Sequence, residues 1–388
     1  MRFSNIVSGR VILEIVGIQF VTAVLMFGVS DAGLSRSITL PFRIIVLLVT
    51  IFTFLFVKKK GRLTKEYLLF LLFFVSFTIR IILDIFFGNV VVADPFQLLL
   101  FLLVIELPSL VILFFTSKYI QYGSLSSALY YILAFSTVFV AFDKGLSLFR
   151  LVELDSRISG SVALSTISLG HMSVSLIIFS FLYIHKSSGF KLLVGILTAL
   201  LGILVMLASG SKGPIFSLVV VAVFALVSSL KTFRSRLMVI LLAFSLFILL
   251  IKPLLELINA VAPYLGNRLS NSYYNKDLGG REIYYARAKE EFFSSPVIGP
   301  GFQIKVNGKF DYAHNIFWDI ALGTGLLGSI IFLIICLMLF RRAFGMIGTE
   351  KTWVSLLFIQ FFSFHIWSGA FYIDPLFILL TGLVSLHE

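Results

Sequence analysis

The sequence predicts an all-α polytopic membrane protein of about twelve transmembrane helices, with one large outer loop between spans nine and ten. Three observations predict it. The 388 residues are 59% hydrophobic and only 13% charged, with mean hydropathy +1.06, more apolar surface than a soluble core can bury. The apolar runs extend about 20 residues without alternation, the length of a bilayer-crossing helix, whereas barrel strands are about half that and alternate. Lysine and arginine gather in every second short loop, as they do when those loops stay cytoplasmic.

Taken in order, the spans cover about residues 11–30, 38–57, 67–87, 96–117, 124–142, 163–185, 192–208, 214–230, 237–257, 315–340, 352–370 and 372–386. The first lacks a small-residue cleavage site and reads as a retained helix rather than a signal peptide. The last two form one apolar stretch, divided where proline follows aspartate at Asp374-Pro375. The basic loops are 58–66 (Lys58, Lys59, Lys60, Arg62, Lys65), 186–191 (Lys186, Lys191), 231–236 (Lys231, Arg234, Arg236) and 341–351 (Arg341, Arg342, Lys351). A twelve-span count puts all four on one side with both termini, and one missed span would scramble that agreement. Cys336, the single cysteine, excludes an intramolecular disulfide. The chain reads as one integral membrane domain, 1–388.

The outer side then carries segments 143–162, 209–213, 258–313 and 371–375. The longest, 258–313, contains Arg268, Lys276, Arg281, Arg287, Lys289, Lys305 and Lys309. Long loops are exempt from the charge rule, so these cations belong either to a solvated basic loop or to a site for phosphate groups. Within it, residues 281–293 hold no glycine or proline and repeat their apolar residues at helical spacing, which predicts an amphipathic helix at the outer interface. Arg281, Tyr285 and Lys289 share one of its faces, while Phe292 and Phe293 face membrane or protein. Pro296 ends the helix, and Gly299-Pro300-Gly301 makes a rigid turn. Tyr312-Ala313-His314-Asn315 then enters span ten. Asn315 suits an N-cap, which puts His314 just outside the first turn, where free N–H groups and the dipole favour an anion. A helix-capping polar residue is the plainer reading of His314.

Other polar positions interrupt the apolar pattern. Ser209-Gly210-Ser211-Lys212-Gly213-Pro214 separates two spans of about 17 residues, near the lower limit for crossing. It is either a plain tight hairpin or a turn that dips into the outer half of the membrane with Lys212. Arg157-Ile158-Ser159-Gly160 is a further outer segment, with Gly170-His171 beyond it. Arg80 and Asp84 stand four apart in span three and pair on one face as a structural unit. Glu106 lies mid-span close to Pro108, Glu14 lies near the inner end of span one, and His365 reads as a core histidine. Asp319, one turn beyond Asn315, is near enough in sequence to orient His314.

The absences are informative as well. There is no phosphate loop, no GxGxxG after a strand, no His/Cys cluster at metal spacing and no acidic pair on the outer loop for a divalent cation. No cofactor, no metal and no nucleic-acid partner are therefore expected. An enzyme of this kind uses a substrate already activated and already on the outer face.

Ser209-Gly210-Ser211-Lys212-Gly213 between two apolar spans resembles a glycine-rich signature of the bacterial O-antigen polymerase and ligase superfamily. The order Arg281, Ser295-Pro296, Gly299-x-Gly301-Phe302, Ala313-His314-Asn315 and Gly325-Leu326-Leu327-Gly328 resembles that superfamily's C-terminal signature, and Arg157-x-x-Gly160 resembles the start of its earlier outer loop. The resemblance covers about residues 157–330. The tyrosine before Ala-His-Asn and the short chain look more like a repeat-unit polymerase than a ligase. The resemblance implies a membrane glycosyltransferase of the GT-C type, acting in the periplasm on undecaprenyl-pyrophosphate-linked oligosaccharide, with a separate chain-length regulator as partner. It also implies pyrophosphate binding by Lys212 and Arg281 and an essential His314. The chain departs from the family at Lys212, where arginine is usual; lysine keeps the charge and loses the bidentate fork.

The chemistry agrees with that implication. Pyrophosphate leaves readily when its developing charge is stabilised, and Lys212, Arg281, Arg287, Lys289 and Arg157 are candidates beside low-dielectric lipid. The acceptor sugar hydroxyl must lose its proton as it attacks the anomeric carbon. His314 is the candidate base, with Asn315, Tyr285, Tyr312 and Asp319 in support. Direct attack of this kind inverts the anomeric centre. Two competing readings stand beside the polymerase. One is an O-antigen ligase, which delivers finished polysaccharide to lipid A core. The other is a lipid-linked oligosaccharide flippase or other transporter, for which no internal repeat is visible.

Overall fold

The computed structural model describes residues 4, 6–12, 44–45, 47–55, 63–88, 90, 95–145, 151, 156–159 and 165–387. Span one beyond residue 12, nine of the twenty positions of span two, Glu14, Gly160 and residues 58–62 of the basic loop lie outside the described residues. The helices are α1 (Lys65–Phe86), α2 (Pro95–Leu100), α3 (Leu107–Thr116), α4 (Tyr122–Lys144), α5 (Thr166–Ile184), α6 (Phe190–Ala208) and α7 (Lys212–Ser228). They continue with α8 (Phe233–Val261), α9 (Pro263–Tyr274), α10 (Arg281–Ser294), α11 (Ile316–Met346), α12 (Thr352–Trp367) and α13 (Pro375–Ser385). A wider π-helical segment, Phe101–Glu106, joins α2 to α3. Among the described residues, α1, α4, α5, α6, α8 and α11 are long and apolar enough to cross a membrane. The chain is thus an all-α, multi-pass membrane protein.

It divides into two compact units. The first takes residues 1–46, 121–277 and 347–360. Its tightest pairing is the antiparallel α5–α6 hairpin. A side chain at Gly195 would stand 2.7 Å from Ile184, and one at Gly202 would stand 2.8 Å from Ile177 and 3.2 Å from the Ser173 carbonyl. Small residues seven apart thus let two membrane helices approach backbone to backbone. Helix α8 touches α7 and α9 but keeps its apolar middle outward: no residue of its most apolar window is buried.

The second unit takes residues 47–120, 278–346 and 361–388. Thr64 caps α1 by accepting from the Tyr67 N–H, and Glu66 of α1 pairs with Arg342 of α11 at 2.6 Å. Phe73 of α1 packs on Phe332 of α11 with ring centroids 5.5 Å apart. The break expected at Asp374-Pro375 is present: Asp374 caps α13 through the Leu376 and Phe377 N–H groups and also holds His365 at 3.0 Å.

Two features of this unit were not foreseen. Residues 304–311 form a small antiparallel hairpin, β1 (Ile304–Val306) with β2 (Lys309–Asp311), in the register Ile304 to Asp311. Its turn is Asn307-Gly308, both with positive φ, the two-residue turn that suits strand twist. That Asn-Gly pair was the available sequence signal. The second feature is a break in α11, whose sequence reads as one continuous span. Gly325 has φ 64 and ψ −162, so the helix stops and restarts. The groups freed there are taken up by the preceding loop: the Leu326 N–H donates to the Pro296 carbonyl at 2.8 Å, and the Gly301 N–H to the Leu322 carbonyl at 3.2 Å. Irregular backbone at membrane depth requires such internal partners.

Candidate functional site

His314 sits where the hairpin hands over to α11, and the local sequence explains its pose. Asn315 caps α11: its Oδ1 accepts from the Phe317 N–H at 2.9 Å and the Trp318 N–H at 3.2 Å, and its Nδ2 donates to the Ile366 carbonyl at 2.8 Å. Asp319, one turn along, reaches back to accept from the Ala313 N–H at 2.7 Å. Between these two fixed points, His314 is held at φ 58, in the left-handed region that non-glycine residues seldom occupy. Asp319 therefore does not orient His314 side chain to side chain, as its sequence position suggested. It fixes the backbone one residue earlier, where one oxygen of its buried carboxylate accepts the Ala313 N–H.

The imidazole is enclosed by rings. Tyr284 of α10 meets it edge to face with centroids 4.7 Å apart, and Tyr312 lies 4.2 Å away. Asp311, the last residue of β2, faces its Nε2 at 4.0 Å and accepts from the Tyr284 hydroxyl at 3.4 Å. Nδ1 is buried and has no hydrogen-bond partner among the described residues. Burial lowers the His314 pKa below its ordinary value; Asp311 opposes the shift and Arg281 adds to it. The surrounding phenols move the other way. Burial pushes Tyr312 up to about 12, and burial with the charge of Asp311 raises Tyr284. Burial also raises Tyr285, against Arg281 and the neighbouring Asn315 amide. At neutral pH the neutral imidazole thus stands among neutral phenols.

The first turn of α10 supplies the cation. Arg281 acts electrostatically on His314, Tyr312 and Tyr285, so it belongs to this cluster. Arg287 and Lys289 do not join it. Arg287 is engaged by Glu290 at 2.7 Å and Glu291 at 2.8 Å on its own helix, and Lys289 is exposed. Both carboxylates stand at helical i+3 and i+4 spacing from Arg287, a signal the sequence carried. Below α10, Ala288, Ile304, Val306, Ala313 and Leu322 form a small buried core that joins helix, hairpin and α11, with Tyr284, Phe292 and Trp318 against it.

The Arg80–Asp84 pair proves to be more than self-contained. Arg80 Nε meets both Asp84 oxygens at 2.9 Å, while its other nitrogens donate to the Ile298 and Gly299 carbonyls at 3.1 and 3.2 Å. Asp84 in turn accepts from the Phe302 N–H at 3.0 Å. The pair thus pins the Pro296–Phe302 loop to α1. Gly299 has φ 78, and a side chain there would run into the Leu322 carbonyl at 2.1 Å, so the loop lies backbone on backbone against α11.

The remaining predicted residues lie in the first unit, around the turn 209–213. Lys212 is the first residue of α7, and its ammonium donates to Ser272 Oγ of α9 and, at 3.3 Å, to the Asp277 carbonyl. Arg268 of α9 donates to the Gly210 carbonyl. Arg157 packs against the same glycine, where an added side chain would stand 3.1 Å from its Cγ. Lys212, Arg157 and Arg268, the last foreseen only as one of the loop cations, therefore converge on one turn, at a helix start whose N-cap residue Ser211 makes no side-chain cap. Among the described residues, no group of three or more His, Cys, Asp or Glu is arranged to hold a metal ion.

Residues 197–333 match the Wzy_C family model, described as O-antigen ligase. The chain carries a domain of the O-antigen polymerase and ligase superfamily. No curated protein matches it. The matched segment runs from within α6 to within α11. It contains Lys212, Arg281, Asp311 and His314; Arg157, Arg80 and Asp84 lie before it.

Proposed function

We propose that this O-antigen superfamily protein is a repeat-unit polymerase. It transfers an undecaprenyl-pyrophosphate-linked oligosaccharide onto the next lipid-linked repeat unit, by metal-independent, inverting glycosyl transfer of the GT-C type. The observation that carries the reading is the pose of His314: a neutral imidazole with one unpartnered nitrogen, held at φ 58 beside Arg281 at the start of α11. Such a group accepts the proton of the acceptor hydroxyl as its oxygen attacks the anomeric carbon. The bond from that carbon to pyrophosphate breaks, and its electron pair leaves on the phosphate oxygen. Arg281 offsets the charge that develops there. Lys212 and Arg157 are kept as candidate phosphate ligands on the family resemblance, supported by their shared turn and the uncapped start of α7.

The reading places the chain in the bacterial inner membrane with twelve spans, both termini cytoplasmic and the 258–313 loop in the periplasm. Membrane lipids surround it, and a chain-length regulator is its expected protein partner. A second reading, ligation of finished polysaccharide to lipid A core, is favoured by the description of the matched family model.

The test is a surface-polysaccharide gel from a strain lacking the gene, complemented with wild type or His314→Ala. A ladder that collapses to core plus a single repeat unit, restored by wild type only, is the expected result. Core without any repeat, with lipid-linked polymer accumulating, moves the assignment to the ligase. Lipid-linked units piling up on the inner face move it to a transporter. A normal ladder with His314→Ala removes the base from the mechanism.

A further inference from the structure

Asp311 is the carboxylate nearest the proposed base, and the family resemblance gave it no role. It ends β2, so the register of the hairpin fixes where it points. Its Oδ1 accepts from the Tyr312 N–H at 2.8 Å, which locks the carboxylate to its own backbone. Its Oδ2 is left to the Tyr284 hydroxyl at 3.4 Å and to His314 Nε2 at 4.0 Å. The side chain is 38% exposed and that of His314 20%, so the pair works at the edge of the protein rather than in its core.

We propose that Asp311 is the positioning residue for this transfer: its carboxylate faces Nε2 of His314 and stabilises the imidazolium that forms when the ring takes the proton of the acceptor hydroxyl. The inference rests on reading His314 as the base. At 4.0 Å the contact in the resting state is electrostatic, and it strengthens as the imidazole becomes positive during the transfer. Tyr284 donates to the same oxygen from α10 and meets the ring edge to face, so one helix orients both members of the pair. The charged and titratable groups facing the imidazole are Asp311 and Tyr312 from the hairpin side and Arg281 and Tyr284 from α10. Only Asp311 favours the protonated form by its charge. Arg281 opposes it, and the two phenols are neutral in the working range.

The test needs no substrate. The full chain, with its five histidines carbon-13 labelled, is placed in phosphatidylglycerol-containing nanodiscs and titrated by NMR. The His314 signal is identified by its loss in His314→Ala. Asp311→Asn is expected to lower the His314 midpoint by about one pH unit, and Asp311→Glu to return most of that shift. If Asp311→Asn misfolds, Asp311→Ser keeps an acceptor for the Tyr312 N–H and is read in its place. An unchanged midpoint in the neutral variant overturns the proposal, because a merely structural carboxylate would leave the titration where it was. In the complemented strain, Asp311→Asn is expected to lose polymer and Asp311→Glu to recover part of it. A shifted midpoint alongside a normal ladder in His314→Ala means that the pairing stands and the base assignment fails.

Discussion

At the scale of single residues, the site is a strained histidine held by its neighbours. The strain has a measurable signature. Glycine occupies the left-handed region freely, so His314→Gly should be more stable than His314→Ala by about 1 kcal/mol, the reverse of their order inside a helix. Thermal unfolding in detergent reads the difference, and both variants should lack activity. A second prediction concerns pH. The pKa of His314 is lowered in the folded protein, so the unfolded chain binds the extra proton first as pH falls from about 6.5. This group therefore adds a loss of stability on acidification, complete once pH has passed below the folded value. Activity should be level from neutral pH upward, and its acid limb should lie below pH of about 6.5. A rate that rises on acidification would contradict the base role. His314 and Asn315 were legible in the sequence because capping is local chemistry. The contribution of Asp311 was not, since it depends on a strand register that brings residue 311 back toward residue 314. The commitment of Arg287 was legible in the carboxylates three and four positions on, Glu290 and Glu291.

At the scale of elements, the decisive pieces are short. The 281–294 helix carries Arg281 and Tyr284, the hairpin carries Asp311, and the loop 296–302 locks both to the membrane helices. Removing one partner of the Arg80–Asp84 pair leaves a buried charge and two loop carbonyls uncompensated. Arg80→Ala should therefore cost about 3 kcal/mol of stability and reduce polymer, although residue 80 is far from His314 in sequence. Gly299→Ala should do comparable damage, because a Cβ at φ 78 meets the Leu322 carbonyl with no side chain able to give way. A thermal shift assay on the purified variants reads both, and wild-type melting would refute the anchoring. Hydropathy was enough to foresee the long helices, whose only demand is an apolar stretch of bilayer length. It could not foresee the break in α11, which is decided by whether a loop 25 or so residues earlier supplies partners for the freed groups.

At the scale of the whole molecule, the balance of hydrophobic residues fixes a membrane protein, and six described helices have the length and composition to span. Helix α8 makes the sharpest claim about lipid. Its apolar window is entirely unburied and Leu249 is 71% exposed, so its sides face acyl chains. Leu249→Arg should raise the cost of inserting this helix by about 3 kcal/mol and deplete the protein from the membrane fraction, while Leu249→Ala leaves it there. Equal membrane yields of the two variants would mean that α8 is shielded from lipid. Orientation and span count rest on the arithmetic of basic loops.

The break at Gly325 bears on the order in which the site is built during synthesis. The loop groups that meet the break come from residues 296–301, which leave the ribosome before α11 does, and the ion pair that anchors this loop comes from α1, earlier still. The floor of the site can therefore set as its own helix enters the membrane. Contacts with later residues wait: the Asn315 amide finds its carbonyl partner at Ile366, and the Phe302 ring its neighbour at Tyr372, only after a further fifty-odd residues have been made. A nascent chain arrested before Ile366 emerges should hold the hairpin in place with His314 still loose, and the closing of the Asn315–Ile366 hydrogen bond would complete the support beneath that residue.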